Sequence, residues 1–191
     1  MVFQRLHKVT VHLDDSPPTP SELYFWMATL SRPISLGSVP ETLHEYNTLR
    51  RPDNIRLFEL QPGARVDLIK LHLYEHDTSD AAAWDGHWEA ISYVWGDPTN
   101  TVAISCNDRS LNITVSLWKA LGLLRYNSEP RVLWADAICI NQKDLQEKSA
   151  QIPLMSGIYE NASQVQACLG EDLDGIATSA FFFHRRDSRQ V

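Results

Sequence analysis

Apolar and polar residues alternate with two different periods along this chain, and these periods predict the order of its secondary-structure elements. Apolar residues alternate with polar ones, or form short continuous runs, over lengths that are typical of β-strands. The predicted strands are residues 55–60, 66–73, 89–95, 102–106, 111–115, 132–136 and 165–169. Because Asn107 and Asp108 are turn residues between two of these strands, we expect a β-hairpin there.

Helical periodicity starts after the predicted hairpin. Four apolar residues recur at the i, i+3, i+4 and i+7 positions, namely Leu117, Ala120, Leu121 and Leu124. Thr114 or Ser116 is available as the N-cap of this helix. A second helical region begins at Asp144, which forms a capping-box pattern with Glu147. Because proline inside a helix costs about 3 kcal/mol, Pro153 predicts either a kink or two short helices.

The alternation of strand, helix, strand, helix and strand across residues 89–170 predicts an α/β fold with a parallel sheet. We expect the two early strands and the hairpin to add antiparallel edges. Residues 1–53 are punctuated by proline and predict an irregular N-terminal extension. Residues 54–175 form the predicted domain, and residues 176–191 predict an incomplete C-terminal helix or tail.

Polar residues gather at the end of the buried strand 132–136. Asp136 interrupts the apolar run there, and Asn141 and Gln142 follow closely. A carboxylate that is taken out of water is costly unless another group pairs with it. In open α/β sheets, the carboxyl ends of the strands are also where ligands bind. These polar residues therefore have either a structural or a ligand-binding role.

The composition excludes several classes of protein. Of 191 residues, 43% are hydrophobic and 21% are charged, which favours a folded domain over a disordered chain. The formal net charge of -7 gives no electrostatic reason to bind nucleic acid. Cys106, Cys139 and Cys168 form no CxxC pair and lie in strand-like apolar runs, so we expect buried, inert thiols. No histidine lies near Cys139, and there is no glycine-rich phosphate loop.

Hydropathy also bears on the location of the protein. No apolar stretch reaches the roughly 18 residues that a membrane-spanning helix needs. Residues 1–15 lack the continuous apolar centre of a signal peptide. We therefore expect a soluble, cytoplasmic protein without a membrane span.

Three sequence blocks together carry a family resemblance. They are AISYVWGD at 90–97, LWADAICINQ at 133–142, and a helical block at 147–162. In these blocks, and over residues 55–172 as a whole, the chain closely resembles the HET (heterokaryon incompatibility) domain of filamentous fungi. It departs from the family pattern at Ser156, where glycine is common, and at Cys168, where tryptophan is usual.

The resemblance implies a signalling module in fungal non-self recognition and regulated cell death, which self-associates or binds protein partners. HET domains are in turn similar to TIR domains, α/β signalling modules of which some hydrolyse NAD. This remote similarity implies a TIR-like or flavodoxin-like parallel sheet with flanking helices and an additional hairpin or antiparallel edge strands. In such a sheet, Asp97, Asp136 and Glu171 would each follow a parallel strand at the same edge.

On this analogy, Asp136 and Glu171 are the candidate catalytic residues, because a carboxylate stabilises the oxocarbenium-like state through which a glycosidic bond breaks. The candidate ligand-pocket residues are Ser92, Tyr93, Trp95, Gly96, Asp97, Asn141 and Gln142. Their aromatic rings suit stacking on nicotinamide or adenine, and their amides suit a carboxamide. NAD is the substrate of this hypothesis, and we expect neither a cofactor nor a metal ion.

Each candidate also has a structural interpretation. Asp97 precedes a proline and suits a turn, Asp136 suits a cap, and Glu171 belongs to an acidic loop. Tryptophans more often fill cores than stack on ligands. The sequence therefore leaves three functions open: a signalling module, an NAD hydrolase, and an inactive, truncated remnant of a longer HET protein.

Overall fold

One mixed sheet of eight strands forms the centre of the computed structural model, which describes residues 9–12, 38–65, 67–80 and 84–168. The strands are β1 (Val9–His12), β2 (Ile55–Leu60), β3 (Lys70–His76), β4 (Glu89–Tyr93), β5 (Thr101–Cys106), β6 (Arg109–Thr114), β7 (Arg131–Trp134) and β8 (Gln164–Cys168). Their order across the sheet is β1-β8-β4-β7-β2-β3-β5-β6. The predicted mixed α/β architecture is confirmed.

Four neighbouring strands at one side of the sheet are parallel. β1 pairs with β8, β8 pairs with β4, and β4 pairs with β7, all in parallel. β4 therefore lies between β7 and β8, two strands that come later in the chain. β3 and β5 form a further parallel pair. The parallel arrangement that we predicted for the strands at 89–95, 132–136 and 165–169 is confirmed.

The two early strands do not lie at an edge, as we expected, but in the interior of the sheet. β2 pairs antiparallel with β7 on one side and with β3 on the other. The physical reason is burial, because nearly every residue of β2 is shielded from solvent and a strand of this kind needs neighbours on both sides. β1 and β6 are the edge strands, and the hairpin prediction is confirmed, since β5 and β6 pair antiparallel.

Strand β3 begins at Lys70 rather than at residue 66, because Arg125 holds the preceding segment as a loop. Its guanidinium donates hydrogen bonds to the carbonyl oxygens of Gln61, Pro62, Ala64 and Asp67. Carbonyl groups that accept from this guanidinium are held in a loop and do not form strand pairs. The sequence pattern carried no signal of this long-range contact.

The tight turn of the hairpin consists of Asn107 and Asp108, which have φ values of 50° and 58°. Positive φ at both central residues matches the twist of a two-residue hairpin, and Asn and Asp tolerate it well. The Asn107 side chain also accepts from the Leu73 amide at 2.9 Å and donates to the Leu73 carbonyl at 2.9 Å. The turn is thereby fixed to β3.

In the described ranges, four short helices accompany the sheet: α1 (Val115–Leu124), α2 (Asp136–Cys139), α3 (Leu145–Gln151) and α4 (Met155–Asn161). Thr114 caps α1 by accepting a hydrogen bond from the Leu117 amide, as one of the two predicted caps. The predicted apolar face of α1 is buried and packs against β4, β5 and β6.

The second helical region is divided as predicted. Pro153 lies in a 3-10 turn, Ile152–Leu154, that separates α3 from α4. Asp144 caps α3 by accepting from the amides of Gln146 and Glu147. The predicted capping box is only half correct, because the Glu147 carboxylate turns to Arg56 and to the Asn141 amide instead. Within the described ranges, none of the helices has the length and apolar character that crossing a membrane requires.

A buried ion pair joins β2 to α3. The guanidinium of Arg56 lies 2.6 Å from one Glu147 oxygen and 2.9 Å from the other, and the two side chains are only 5% and 9% exposed. The same guanidinium donates to the carbonyl oxygens of Cys139 and Asn47. Bidentate geometry and further hydrogen bonds are what make a buried charge tolerable.

We expect Arg56→Met to lower the free energy of unfolding by about 3–5 kcal/mol, because it leaves the Glu147 carboxylate buried without its partner. In Arg56→Met/Glu147→Gln the buried charge is gone, and part of the loss should be recovered. Chemical denaturation measures both variants. As the control, Arg51→Met breaks an exposed pair with Asp53 and should leave the free energy of unfolding nearly unchanged. Equal losses in the Arg56 and Arg51 variants would contradict this assignment.

Candidate functional site

The parallel strands bring the ends of β4, β7 and β8 to one edge of the sheet, which we call the carboxyl edge. Ala90 of β4 is paired with Trp134 of β7, and Tyr93 of β4 is paired with Cys168 of β8. Because the three strands run in the same direction, the residues that follow each of them emerge at this edge. The segment after β4 and the helix α2 after β7 are therefore neighbours.

Asp136 is the first residue of α2 and is half-buried at the carboxyl edge. Its Oδ1 accepts a hydrogen bond from the Ala137 amide at 2.8 Å. Its Oδ2 accepts a hydrogen bond from the indole Nε1 of Trp95 at 3.1 Å. Two of the predicted site residues, one from each loop, are thus in direct contact.

Tyr93 adds a second aromatic ring to this pair. The Tyr93 and Trp95 rings are stacked with their planes 7° apart and their centroids 6.5 Å apart. Burial raises the pKa of Tyr93, and the negative charge of Asp136 raises it further, so this hydroxyl keeps its proton. The hydroxyl is buried close to the carboxylate, yet it makes no well-aligned hydrogen bond with any residue that the structure describes.

Tyr159 of α4 is a third aromatic residue on which the charge of this carboxylate acts. Its hydroxyl donates to the Ile91 carbonyl at 3.1 Å, and its ring contacts Trp134 edge to face with centroids 5.5 Å apart. Burial raises the pKa of Tyr159 to about 12, and the Asp136 charge contributes to the shift. Trp134 itself is fully buried and belongs to the core.

Asp97 serves a turn. Its Oδ1 accepts hydrogen bonds from the Thr99 amide at 2.8 Å and the Thr99 hydroxyl at 2.7 Å, and the residue is exposed. These bonds hold the pKa of the Asp97 carboxyl below its usual value.

Ser92 is exposed on β4. Gly96 has a φ of +68°, and a Cβ there would come within 2.4 Å of the Ser116 hydroxyl oxygen, so only glycine fits.

The amides of Asn141 and Gln142 hold the loop after α2. The Gln142 Nε2 donates to the Asp136 carbonyl at 2.9 Å, and the Asn141 Oδ1 accepts from the Lys143 amide at 3.2 Å. Both residues therefore support the backbone that carries Asp136. Whether their side chains also bind a ligand stays a prediction.

Glu171, the second candidate catalytic residue, lies outside the described residues, as does the predicted C-terminal segment 176–191. In the described part of the chain, no group of three or more His, Cys, Asp or Glu side chains is placed to hold a metal ion. The three cysteines are free and buried, as expected, although Cys139 lies in α2 and not in a strand. Burial raises the pKa of Cys106 to about 12 and that of Cys168 to about 11, so these thiols stay protonated.

Comparison with known proteins identifies the family. The family model described as heterokaryon incompatibility protein (HET) matches residues 88–190, which is more than half of the chain. The chain belongs to the HET family. It is 38% identical over 149 residues to heterokaryon incompatibility protein 6, OR allele, of Neurospora crassa, a match that covers 69% of this chain and 21% of the relative. The chain thus spans about a fifth of that relative's length. No solved structure matches the chain.

Two residues around the site of this HET domain were missed from the sequence. Tyr159 lies in the helical block of the family resemblance, but its contact with β4 is visible only in three dimensions. Arg56 gave a usable signal, because it is a charged residue inside the apolar run Ile55–Leu60. The reasoning that singled out Asp136, that a charge in a buried strand needs a partner, applies equally to Arg56.

The raised tyrosine pKa makes this HET domain sensitive to alkali. In the unfolded chain, the Tyr159 hydroxyl loses its proton near the usual pKa of 10.0. In the folded domain its pKa is about 12, so the hydroxyl keeps its proton to a higher pH. The resulting stability is fully present below pH 10 and is lost as the pH rises to about 12. The denaturant concentration at the midpoint of unfolding should fall as the pH rises over this range. The decrease should be less steep in Tyr159→Phe. Tyr126→Phe, at an exposed position, is the control. Identical slopes in wild type and Tyr159→Phe would contradict the assignment.

Proposed function

We propose that this chain is a signalling module of fungal non-self recognition and that its activation leads to regulated cell death. The observation that carries the proposal is the HET family match across residues 88–190. The similarity to a protein named heterokaryon incompatibility protein 6 supports it. Since the chain spans 21% of that relative, the trigger belongs to protein partners, or to other parts of a longer protein.

Protein partners or copies of the same chain are the binding partners in this proposal. The formal net charge of -7 supports them over nucleic acid, since a phosphate backbone would be repelled. We propose a cytoplasmic location for this module. A signal that works by association needs no chemistry at the carboxyl edge.

Induced expression of this chain in a filamentous fungus should stop growth and kill most of the expressing cells, because high concentration favours assembly of the module. The measurement is the uptake of a viability dye against the amount of protein in the same cells. Leu121→Asp, which places a charge in the core beneath α1, should abolish the effect by unfolding the domain. Glu129→Gln, at an exposed loop position, should leave it unchanged.

Normal growth at protein levels equal to those of a lethal HET control would reject the proposal for this chain. So would killing by the unfolded Leu121→Asp variant at the same level as the wild type, because toxicity of that kind does not depend on the fold.

For the architecture we infer a TIR-like or flavodoxin-like core. The strand order β8-β4-β7 supports this, because it puts the first of three parallel strands between the second and the third. Flavodoxin-like sheets have the same local order, with the ligand at the switch point where the connections leave in opposite directions. Here that point is between β4 and β8, at the carboxyl edge.

A second candidate function is hydrolysis of NAD at this edge. The observation in its favour is that the Asp136 carboxylate lies against two aromatic rings next to the switch point. In this reaction the bond between the ribose C1′ and the nicotinamide nitrogen breaks, and the nitrogen keeps the electron pair. Water adds to C1′ and releases one proton. The Asp136 charge would stabilise the oxocarbenium-like state, and Glu171 would be the second carboxylate.

NAD consumption by the purified chain tests this candidate. The wild type should convert NAD to nicotinamide and ADP-ribose, and Asp136→Ala and Glu171→Ala should each lower the rate at least roughly a hundredfold, the effect of removing one electrostatic contact to the transition state. Glu129→Ala, an exposed acid elsewhere, is the matched control. Absence of turnover at high protein concentration would reject the hydrolase and leave the signalling proposal intact.

A further inference from the structure

The carboxyl edge has an exposed aromatic surface with a negative charge beside it. Trp95 is 44% exposed and Val94 is 57% exposed, directly after β4. The Tyr93 and Trp95 rings are parallel, and their centroids are 6.5 Å apart. Carbon atoms of two rings in face-to-face contact are about 3.5–4.0 Å apart, so these two rings are offset from each other. Most of each ring face is therefore not covered by the other ring.

No opposite charge within the described residues neutralises the charge beside these rings. Asp136 accepts hydrogen bonds from the Trp95 indole and the Ala137 amide, which are both neutral donors. None of the ion pairs found among the described residues involves it. Its charge also acts on the hydroxyls of Tyr93 and Tyr159 and on the Cys139 thiol, so its surroundings are mostly aromatic.

The polar edge of the Tyr93 ring belongs to the same cluster. Its hydroxyl is buried and interacts with the Asp136 carboxylate, whose charge helps to raise the pKa of Tyr93. Tyr93 therefore contributes its ring to this surface, and its hydroxyl is not exposed to a ligand.

We propose that Tyr93, Trp95 and Asp136 form a binding site for a planar organic cation. The proposal deepens the ligand site suggested above and rests on the carboxyl edge being that site. A flat ligand stacks on an exposed indole face, and a positive charge is attracted both by the ring faces and by the unpaired carboxylate. Two sources share this chemistry: the pyridinium ring of an oxidised nicotinamide compound and the guanidinium group of an arginine side chain.

Other classes of ligand fit the site less well. An anion would be repelled by Asp136, which no described cation neutralises. A metal ion would need more ligands than this one carboxylate, and no suitable group of three is present in the described ranges. A neutral aromatic compound would stack but would gain nothing from the charge, so the site should distinguish charged from neutral rings of the same shape.

Titration of the wild-type protein with 1-methylnicotinamide, a planar cation, and with nicotinamide, its neutral counterpart, tests this proposal. The indole N–H signals in a proton–nitrogen NMR spectrum report the binding, and Trp95→Phe assigns the Trp95 signal. The cation should shift the Trp95 signal and bind roughly tenfold more tightly than nicotinamide, which corresponds to a cation–π and charge contribution of about 1.4 kcal/mol. Methylguanidinium is the third ligand and distinguishes the two sources.

Two variants locate the site. Asp136→Asn should weaken cation binding roughly tenfold and remove the preference over nicotinamide, and Trp95→Ala should weaken both ligands. Tyr126→Ala, which removes another exposed aromatic ring at the opposite end of β7, should bind as the wild type does. Thermal unfolding shows whether each variant is folded. If a variant does not fold, the comparison of the two ligands on the wild-type protein still tests the proposal.

Equal affinity for the cation and for nicotinamide would overturn the proposal, as would cation binding that Asp136→Asn leaves unchanged. Tighter binding of methylguanidinium than of 1-methylnicotinamide would support the site and identify arginine as the source of the cation. Cation binding without NAD turnover would reject the hydrolase alone. Killing of fungal cells without cation binding would reject this site alone.

Discussion

The buried guanidinium of Arg56 is the contact on which the carboxyl edge depends. The register of β2 with β7 places Phe58 beside Leu133, so Arg56 lies level with the residues that leave β7 and enter α2. From there it bonds to the Cys139 carbonyl at the end of α2, to Glu147 of α3, and to the Asn47 carbonyl of the preceding segment. Glu147 in turn holds the Asn141 amide. One charge pair therefore fixes the end of α2, the helix that begins at Asp136, and the start of the loop that follows it.

The opposite end of the parallel strands is held by a second charged network, of different composition. Glu89 of β4 makes a bidentate pair with Arg131 of β7 and also accepts from Gln166 of β8. Arg131 further donates to the Leu124 carbonyl at the end of α1. Charge at this end is paired, whereas Asp136 at the carboxyl edge meets neutral donors and aromatic rings. The asymmetry separates a cross-linked structural end from the end at which we propose a ligand site, and a rigid support is what such a site requires.

Local sequence signals predicted the elements whose stability is local. The hairpin at Asn107 and Asp108 was predicted because its turn needs positive φ, which these residue types accept. Helix α1 followed from four apolar residues at helical spacing and its Thr114 cap. The division of the later helix at Pro153 followed from a missing backbone donor. Because parallel strands end at the same edge of a sheet, the sequence predicted that Trp95 and Asp136 lie at one edge. It did not predict the hydrogen bond between them, because that bond depends on the path of the loop after β4.

The family, the mixed α/β class, most strand and helix positions, and the gathering of Asp136 and the Tyr93–Trp95 pair at one edge were all predictable from the sequence. These features follow from periodicity, turn chemistry and motif, which act over a few residues at a time. Long-range contacts in the fold, in contrast, place β2 and β3 inside the sheet, shorten β3 through Arg125, and turn Glu147 from its capping box to Arg56. Each of these outcomes is set by a partner distant in the chain, because buried charges and carbonyl groups must be satisfied by whatever the fold brings beside them.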